Sequence, residues 1–253
     1  MIQKVFKFCV AWFLLGIGRL ASFLLLQVKV VGLEHAPTKG PLIVIANHFS
    51  WFDAPLLTLY LPFRPVFIVA SESQRFWYVR LFLRVFRGIP IWRGRVDRTA
   101  LQTALELLRR GDVIGIFPEG GIDPRLAERR ARGEPITETQ GHISRLDAQL
   151  THPEPGTAFL ALQSGARILP VALIGTEKIL GNVMSGRRTK VIIHIGQVFD
   201  PTTVDLATVD REPQSNKPRR RLDRVADGIM QRIAVLFPPE NRGPYRHVNL
   251  EII

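Results

Sequence analysis

Two residues that together suit a general base lie close to one another early in the chain. His48 and Asp53 follow the apolar run 42–45, which begins after a Gly-Pro pair and is typical of a buried strand. Asp53 and Pro55 suit the start of a helix, as its N-cap and an early proline. A turn from strand to helix would bring the carboxylate onto the imidazole. It would then fix the tautomer and leave the other ring nitrogen free to take a proton.

The nucleophile for such a pair has to come from a substrate. No nearby serine or cysteine lies in a Gly-x-Ser-x-Gly elbow, so a substrate hydroxyl is the expected attacking group. The spacing by itself also fits a plainer interpretation, in which Asp53 is only a helix cap and His48 only a loop histidine. So short a pattern recurs by chance, and three later segments have to be weighed with it.

Those segments are Gly88-Ile89-Pro90-Ile91-Trp92-Arg93, Phe117-Pro118-Glu119-Gly120 and Ile168-Leu169-Pro170-Val171. With Asn47-His48-x4-Asp53 before them, they resemble in content and order the four motifs of the glycerolipid acyltransferase family. Its best-known members are the 1-acylglycerol-3-phosphate acyltransferases. The resemblance covers roughly residues 28–175, which is most of the chain. Four ordered motifs are far more specific than any one of them.

The resemblance implies a role for each matched residue. It makes His48 the general base and Asp53 the partner that orients it, and it assigns binding of a glycerol phosphate to the arginine and the Glu-Gly pair of the later motifs. A guanidinium fork matches phosphate oxygens, and adjacent glycines let backbone amides approach a ligand closely. The expected substrate-binding residues are therefore Asn47, Gly88, Arg93, Arg95, Glu119, Gly120 and Gly121. The resemblance requires neither a metal nor a cofactor.

The third motif departs from the family pattern at its end. The pattern normally continues Thr-Arg-Ser, whereas Gly121, Ile122 and Asp123 stand in those places here. The arginine that many members carry is missing, and Arg125 is the residue that could reach in from three positions on. This departure bears directly on how an acceptor phosphate would be recognised.

Composition limits the classes of protein that this chain can belong to. Its 253 residues suit one α/β domain with a full core. Cys9 is the only cysteine, which excludes a disulfide framework and a cysteine-rich metal site. The net charge of +12 implies an anionic partner, namely nucleic acid, anionic lipid or a phosphate-bearing substrate. Nucleic acid is not expected, because the basic residues are dispersed among apolar stretches and no nucleic-acid motif is present.

Residues 1–26 are the most apolar part of the chain and are expected to associate with a membrane. A spanning helix would place Arg19 deep within the bilayer, which is costly, and Gly16 and Gly18 weaken a continuous helix. We therefore expect one or two helices in the membrane interface, on the cytoplasmic face of the cell membrane, with Trp12 at headgroup level. A single membrane span is the alternative.

Strand and helix patterns alternate along the rest of the chain, which predicts a single α/β domain around a largely parallel sheet flanked by helices. Residues 27–200 form the expected acyltransferase domain, and residues 201–253 a polar linker, an amphipathic helix over 222–237 and a tail. Pro170 lies inside a predicted strand, so we expect that strand at an edge or with a bulge. The predicted strands are 27–31, 42–45, 66–69, 88–92, 112–117, 167–174 and 190–195, and the other predicted helices follow Asp53 and cover 72–86, 97–108 and 157–164.

Residues 122–154 look like an insertion and are expected to form a solvated or lid-like loop. His142, Asp147 and His152 lie in this segment, but their spacing matches none of the familiar metal-ligand patterns, so a metal site is not expected.

The expected function is acyl transfer at a membrane without an acyl-enzyme. The resemblance implies acyl-CoA or acyl carrier protein as donor and a lysophospholipid as acceptor, with phosphatidate formed from 1-acylglycerol-3-phosphate. A different lysophospholipid or a phosphate-free alcohol is the alternative acceptor. A non-catalytic peripheral membrane-binding protein is the alternative class, although it leaves the pairing of His48 and Asp53 with three further motifs unexplained.

Overall fold

The computed structural model describes residues 2–92, 97–122, 145, 147–204 and 218–248. Its centre is a seven-stranded sheet in the order β1-β7-β6-β2-β5-β3-β4. Neighbouring strands are parallel except for β6 and β7, which confirms the prediction of a largely parallel sheet. The strands are β1 Leu26–Val31, β2 Leu42–Ala46, β3 Val66–Ala70, β4 Gly88–Ile91, β5 Val113–Ile116, β6 Arg167–Ile174 and β7 Thr189–Ile195.

Helices cover both faces of the sheet and form two separate hydrophobic cores. One core joins the sheet to α4, α5 and α7 through small or branched residues such as Ala104, Ala158 and Ile229. The other joins it to α2 and α6 through Leu56, Leu57 and Ile179. The helices are α1 Ile2–Leu25, α2 Asp53–Tyr60, α3 Trp77–Phe86, α4 Arg98–Arg109, α5 Gly156–Ser164, α6 Ile179–Met184 and α7 Pro218–Ala234.

Strand β2 lies in the middle of the sheet and is buried along its whole length. It pairs in parallel with β5 on one side and β6 on the other, so the carboxyl ends of all three strands meet at one edge of the sheet. Ligands of open α/β sheets bind at this edge. The first, third and fourth motifs therefore converge there, because His48 follows β2, Phe117 follows β5 and the fourth motif lies within β6.

Helix α1 runs without a break through the two glycines that the sequence suggested as weak points. Gly18 lies against α2, where a side chain would meet Leu59, so a small residue suits close packing of the two helices. Ser22 and Tyr60 share a hydrogen bond of 2.7 Å across the same contact. Within the described part of the chain, no helix combines the length and apolarity needed to cross a bilayer.

Three expectations about individual elements are wrong. Pro170 lies in β6, which is an interior strand, although it sits one position beyond the last residue paired with β7. The proline has no N–H to donate to this ladder, but its carbonyl oxygen accepts the N–H of Gly196, just past the end of β7, at 2.9 Å. The first turn of the predicted helix 72–86 is a separate 3₁₀ segment, Ser71–Arg75. The basic end of the predicted linker belongs to α7, which begins at Pro218.

Candidate active site

The turn after β2 holds His48 and Asp53 in direct contact. The Nδ1 atom of His48 lies 2.9 Å from Oδ2 of Asp53. The same oxygen accepts the backbone N–H groups of Phe49 at 2.8 Å and Ser50 at 2.7 Å. Asp53 is the first residue of α2 and its carboxylate points back into the turn, so the N-cap interpretation is wrong. A fully buried carboxylate with three donors on one oxygen fixes the turn and the ring together.

The orientation of the His48 ring defines which nitrogen can act on a substrate. An ionised carboxylate only accepts hydrogen bonds, so Nδ1 carries the ring hydrogen and Nε2 is the free base. One face of the ring stacks on Phe117 at 4.1 Å, and Phe117 stacks in turn on Phe67 at 5.6 Å. The side chain remains 17% exposed, which is enough for a substrate to reach its edge.

Asn47 connects the first motif to β6, the strand that contains the fourth motif, rather than facing solvent. Its Nδ2 donates to the carbonyl oxygen of Leu173 at 2.9 Å, and its Oδ1 accepts the N–H of Leu173 at 2.7 Å. The side chain is fully buried and both ends of its amide are used. The geometry therefore argues against the expected contact with substrate and gives Asn47 the task of joining the turn to β6.

Glu119 is buried beside the turn that holds His48, and both of its carboxylate oxygens accept hydrogen bonds. Its Oε1 accepts the backbone N–H of His48 at 3.0 Å. Its Oε2 accepts from the backbone N–H of Thr151 at 3.1 Å, from the hydroxyl of Thr151 at 2.8 Å and from Nη1 of Arg145. Glu119 was expected to bind substrate, yet in this structure its carboxylate is occupied by protein groups. It connects the first motif to a segment that lies beyond the third.

Arg145 is the residue at this site that sequence reasoning missed. Its guanidinium donates to the carbonyl oxygens of Ile122 and Gly121, each at 2.7 Å. Its Nη1 also donates to the backbone carbonyl oxygen of Gln149 at 3.1 Å. The group lies over the ring of Phe49 at 5.4 Å, and the backbone N–H of Arg145 donates to the Phe49 carbonyl at 2.7 Å. No motif or periodic pattern marked this position in the insertion.

The described end of the insertion is partly buried, so the expectation of a solvated loop is wrong at Arg145 and Leu150, whereas Asp147, His152 and Glu154 are exposed. Arg145 is 4% exposed and Leu150 1%, and the backbone of Leu150 bonds to the carbonyl of Asn241 near the end of the chain. His152 contacts Asp227 of α7 at 3.5 Å, away from His48. We call residues 145 and 147–154 the anchored segment, because it ties the third motif to the C-terminal turns.

Of the remaining expected site residues, Gly88 is remote from His48, Gly120 follows Glu119 in the third motif, and the arginines lie outside the described residues. Gly88 begins β4, three strands away from β2, and its register through Phe67 and Gly115 places it level with the middle of β2 rather than with His48. A side chain there would collide with Leu83 of α3, which makes its role one of packing and argues against contact with substrate. Gly120 has a left-handed backbone with φ of 72°, which favours glycine at this turn. Arg93, Arg95, Arg125 and His142 lie outside the described residues.

Among the residues that the structure describes, no cluster of three or more histidine, cysteine or acidic side chains is arranged to hold a metal ion. What the site does offer is an oriented imidazole at the carboxyl edge of a parallel sheet. A model of the acyltransferase family matches residues 27–174, which include all of the residues described above that surround His48. The chain belongs to the acyltransferase family. This confirms the resemblance predicted from the four motifs.

Individual acyltransferases are distant from this chain. It is 28% identical over 179 residues to the 1-acyl-sn-glycerol-3-phosphate acyltransferase of Borreliella burgdorferi, a match that covers 69% of this chain and 62% of that protein. It is 29% identical over 203 residues to the lyso-ornithine lipid O-acyltransferase of Pseudomonas aeruginosa, which covers 78% of this chain and 73% of that protein. The two relatives are named for different acceptors.

The fold is shared with a solved acyltransferase. The crystal structure of the 1-acyl-sn-glycerophosphate (LPA) acyltransferase, PlsC, from Thermotoga maritima matches with a TM-score of 0.57 at 24% identity. The match covers 90% of this chain and 81% of that one. The α/β architecture predicted from the alternation of strands and helices is thus confirmed.

Proposed function

We propose that this protein transfers a fatty acyl group from the thioester of acyl-CoA or acyl carrier protein to a hydroxyl of a lysophospholipid. The first acceptor to consider is 1-acylglycerol-3-phosphate, which would give phosphatidate. The single observation that carries the proposal is the contact of 2.9 Å between Nδ1 of His48 and the buried carboxylate of Asp53. It leaves Nε2 as a base at the edge of the sheet where the motifs converge.

The proposed step needs only an acceptor hydroxyl and a thioester. Nε2 of His48 takes the hydroxyl proton as the oxygen attacks the carbonyl carbon. A C–O bond forms, the C–S bond breaks, and the protonated ring returns the proton to the leaving sulfur. Asp53 stabilises the imidazolium that exists between these events. The attacking oxygen belongs to the acceptor, so no acyl-enzyme is formed. Holding both substrates at the site supplies much of the acceleration.

The test is turnover of acyl-CoA in detergent by wild-type protein and the His48→Ala variant. Removal of a general base costs about 10²- to 10⁴-fold, so we expect kcat to fall by at least that factor with an unchanged circular dichroism spectrum. His194→Ala is the matched control, because the ring of His194 also bonds through Nδ1, to the carbonyl of Leu236 in the protein interior. Wild-type kcat in folded His48→Ala protein would refute the mechanism.

A phosphate-free acceptor is the second candidate, for a specific structural reason. The third motif lacks its family arginine, and the arginine found beside Gly121, Arg145, is buried on Glu119 and backbone carbonyls. It cannot reach an acceptor phosphate from there. A lysophosphatidate acceptor must then rely on Arg93 and Arg95. The similarity to a lyso-ornithine lipid O-acyltransferase supports the same alternative, since an ornithine headgroup carries no phosphate.

A panel of lysophosphatidate, lyso-ornithine lipid and monoacylglycerol distinguishes the two candidates. If the acceptor phosphate is bound by Arg93, Arg93→Ala raises its KM about 10- to 150-fold, the value of a charge-assisted hydrogen bond of about 1.5–3 kcal/mol. The KM for monoacylglycerol should change much less. Arg93→Lys should recover only part of the loss, because an ammonium lacks the two-pronged contact. Preference of the wild type for a phosphate-free acceptor would exclude lysophosphatidate and leave acyl transfer intact.

We also propose that α1 and α3 lie in the membrane interface. Most of their exposed side chains are apolar or aromatic, while Ala11, Leu15 and Ser22 of α1 are buried. Arg64 lies 4.7 Å from the centre of the Trp12 ring, which places a cation beside this surface. The exposed residues are Trp12, Phe13, Ile17, Leu20, Phe23 and Leu24 of α1, with Trp77 and Leu81 of α3. Such a helix binds through its apolar side and the cations bordering it.

Sedimentation with anionic phospholipid vesicles tests this orientation. Phe13→Glu with Leu20→Glu places two charges on the exposed side of α1 and should abolish sedimentation. Gln102→Glu with Thr103→Glu adds the same charge to the exposed side of α4, across the sheet, and should leave it unchanged. High salt should not release the wild type, because apolar insertion is screened little. Release by salt alone would mean that the attachment is electrostatic.

A further inference from the structure

The buried ion pair between Glu119 and Arg145 connects the insertion to the catalytic turn. Glu119 holds the backbone N–H of His48 through one oxygen and Arg145 through the other. Both side chains are almost completely removed from solvent. The pair therefore lies one hydrogen bond from the residue proposed as the base, although Arg145 itself follows Glu119 by 26 residues.

Arg145 holds three separate parts of the site in one arrangement. Its guanidinium binds the carbonyls of Gly121 and Ile122, which continue the third motif. Its backbone N–H binds the carbonyl of Phe49, the residue after His48. A guanidinium has five N–H donors in a rigid plane, so a single side chain can fix the relative positions of several acceptors. An apolar side chain of similar length could fill the space but would fix none of them.

The charge of Arg145 matters as much as its geometry. A buried carboxylate without a partner is strongly unfavourable, and such a group recruits water, takes a proton or moves. Each of these responses would disturb the Oε1 atom of Glu119 that holds His48. By contrast, replacing both members of a buried pair with neutral groups is often tolerated. That asymmetry makes the role of the charge measurable.

We propose that Arg145 is a positioning residue for acyl transfer, which acts through Glu119 to hold the backbone of His48 where Nε2 meets the acceptor hydroxyl. It does not bind substrate, because it is 4% exposed and its donors are directed to protein groups. The inference rests on the proposed acyl transfer. It goes beyond that proposal because it gives a catalytic function to a residue of the insertion, outside all four motifs.

The experiment compares Arg145→Met with the double variant Arg145→Met/Glu119→Gln. Saturation kinetics are normalised to the folded fraction of each protein. Misplacement of a catalytic group by about 1 Å can cost about 100-fold, so we expect kcat of Arg145→Met to fall about 10- to 100-fold with KM changed much less. The double variant keeps an oxygen for the His48 N–H and carries no buried charge. It should recover most of the lost kcat, and Arg145→Lys should lie between Arg145→Met and the wild type.

Arg242→Met is the matched control. Arg242 is also a buried arginine and donates to the carbonyls of Phe237 and Val248, but it has no contact with Glu119 among the bonds described. This variant should lower the melting temperature and leave kcat of the folded protein unchanged. A merely structural Arg145 would behave in the same way.

Each result decides the matter. Lowered kcat in Arg145→Met with recovery in the double variant supports the inference. Folded Arg145→Met with wild-type kcat overturns it, and so does a double variant that folds without recovering, because the Glu119 carboxylate would then be needed in its own right. Should Arg145→Met fail to fold, Arg145→Lys is measured in its place: kcat below the wild-type value with KM changed much less supports the inference, and wild-type kcat in the folded protein overturns it. The proposed function is tested separately: it stands if the wild type turns over acyl-CoA and His48→Ala does not. The outcomes for Arg145 then concern its positioning role alone.

Discussion

Two buried carboxylates support His48, those of Asp53 and Glu119, and they differ in which part of His48 they contact and in how far away they lie in the sequence. Asp53 contacts the ring, lies five residues away in the sequence and belongs to the same turn. Glu119 contacts the backbone, lies 71 residues away and depends on the anchored segment for its own partners. The first support is a local feature of one motif, whereas the second joins three segments that are distant in the chain.

In the proposed acyl transfer, this difference separates two tasks. Asp53 would act on the atoms that carry the proton, because it fixes the tautomer of His48 and balances the charge of the imidazolium. Glu119 is bonded only to the peptide of His48, so it can change where the ring stands but not which nitrogen is protonated. Changes on the Asp53 side should therefore lower kcat more than changes on the Glu119 side. Two substitutions test this order, starting with the larger effect.

Asp53→Asn should cause the larger loss. The amide oxygen can still accept the N–H groups of Phe49 and Ser50 and the Nδ1–H of His48, so the turn is retained, but the side chain no longer carries the negative charge that stabilises the imidazolium. We expect kcat to fall about 10²- to 10⁴-fold, the range for loss of efficient general-base catalysis, while the protein stays folded. The loss should not exceed that of His48→Ala.

Asp200→Asn is the control for this substitution. Asp200 accepts from the backbone and the hydroxyl of Thr202, and these hydrogen bonds lower the pKa of its carboxyl below the usual value. It is an exposed surface acid in a similar short turn, so kcat should stay at the wild-type value. General-base catalysis is worth at least about 100-fold in rate. If kcat of Asp53→Asn stays within a factor of about two of the wild-type value, Asp53 does not govern proton transfer.

The same contrast explains what could be predicted from the sequence. The apolar run 42–45 predicted a buried strand, and His48 with Asp53 after it predicted an oriented base, because all of these interactions are local. Alternation of strands and helices was enough to predict the α/β class. The spacing of apolar residues shows which residues are buried but not which strands lie next to each other. The order of the strands and the interior position of β6 could therefore not be predicted from it.

The contact between Glu119 and Arg145 could not be predicted from the sequence, for a physical reason. The missing arginine of the third motif was evident, and Arg125 was suggested in its place because it is close in sequence. The structure pairs Glu119 with Arg145, which lies 26 residues further along the sequence. A buried glutamate beside glycines signals that some cation must approach it, but no local pattern tells which of several arginines in an insertion will do so.

Thr151→Val should give the smallest effect and probes the second support alone. The substitution keeps the shape and the backbone N–H of Thr151 but removes the hydroxyl that donates to Oε2 of Glu119 at 2.8 Å. Arg145 and the Thr151 N–H remain on that oxygen, so the loss should lie at the low end for a hydrogen bond, about 0.5 kcal/mol, and kcat should fall about twofold. Thr189→Val is the matched control, because the hydroxyl of Thr189 also makes a side-chain hydrogen bond, accepted from Asn182, away from the site. Thermal unfolding of both variants and kcat of the folded protein are the measurements.

Similar losses of stability with a kcat change only in Thr151→Val would show that the anchored segment acts on His48. A loss as large as that of Asp53→Asn would instead make the two supports equal and remove the distinction drawn between them.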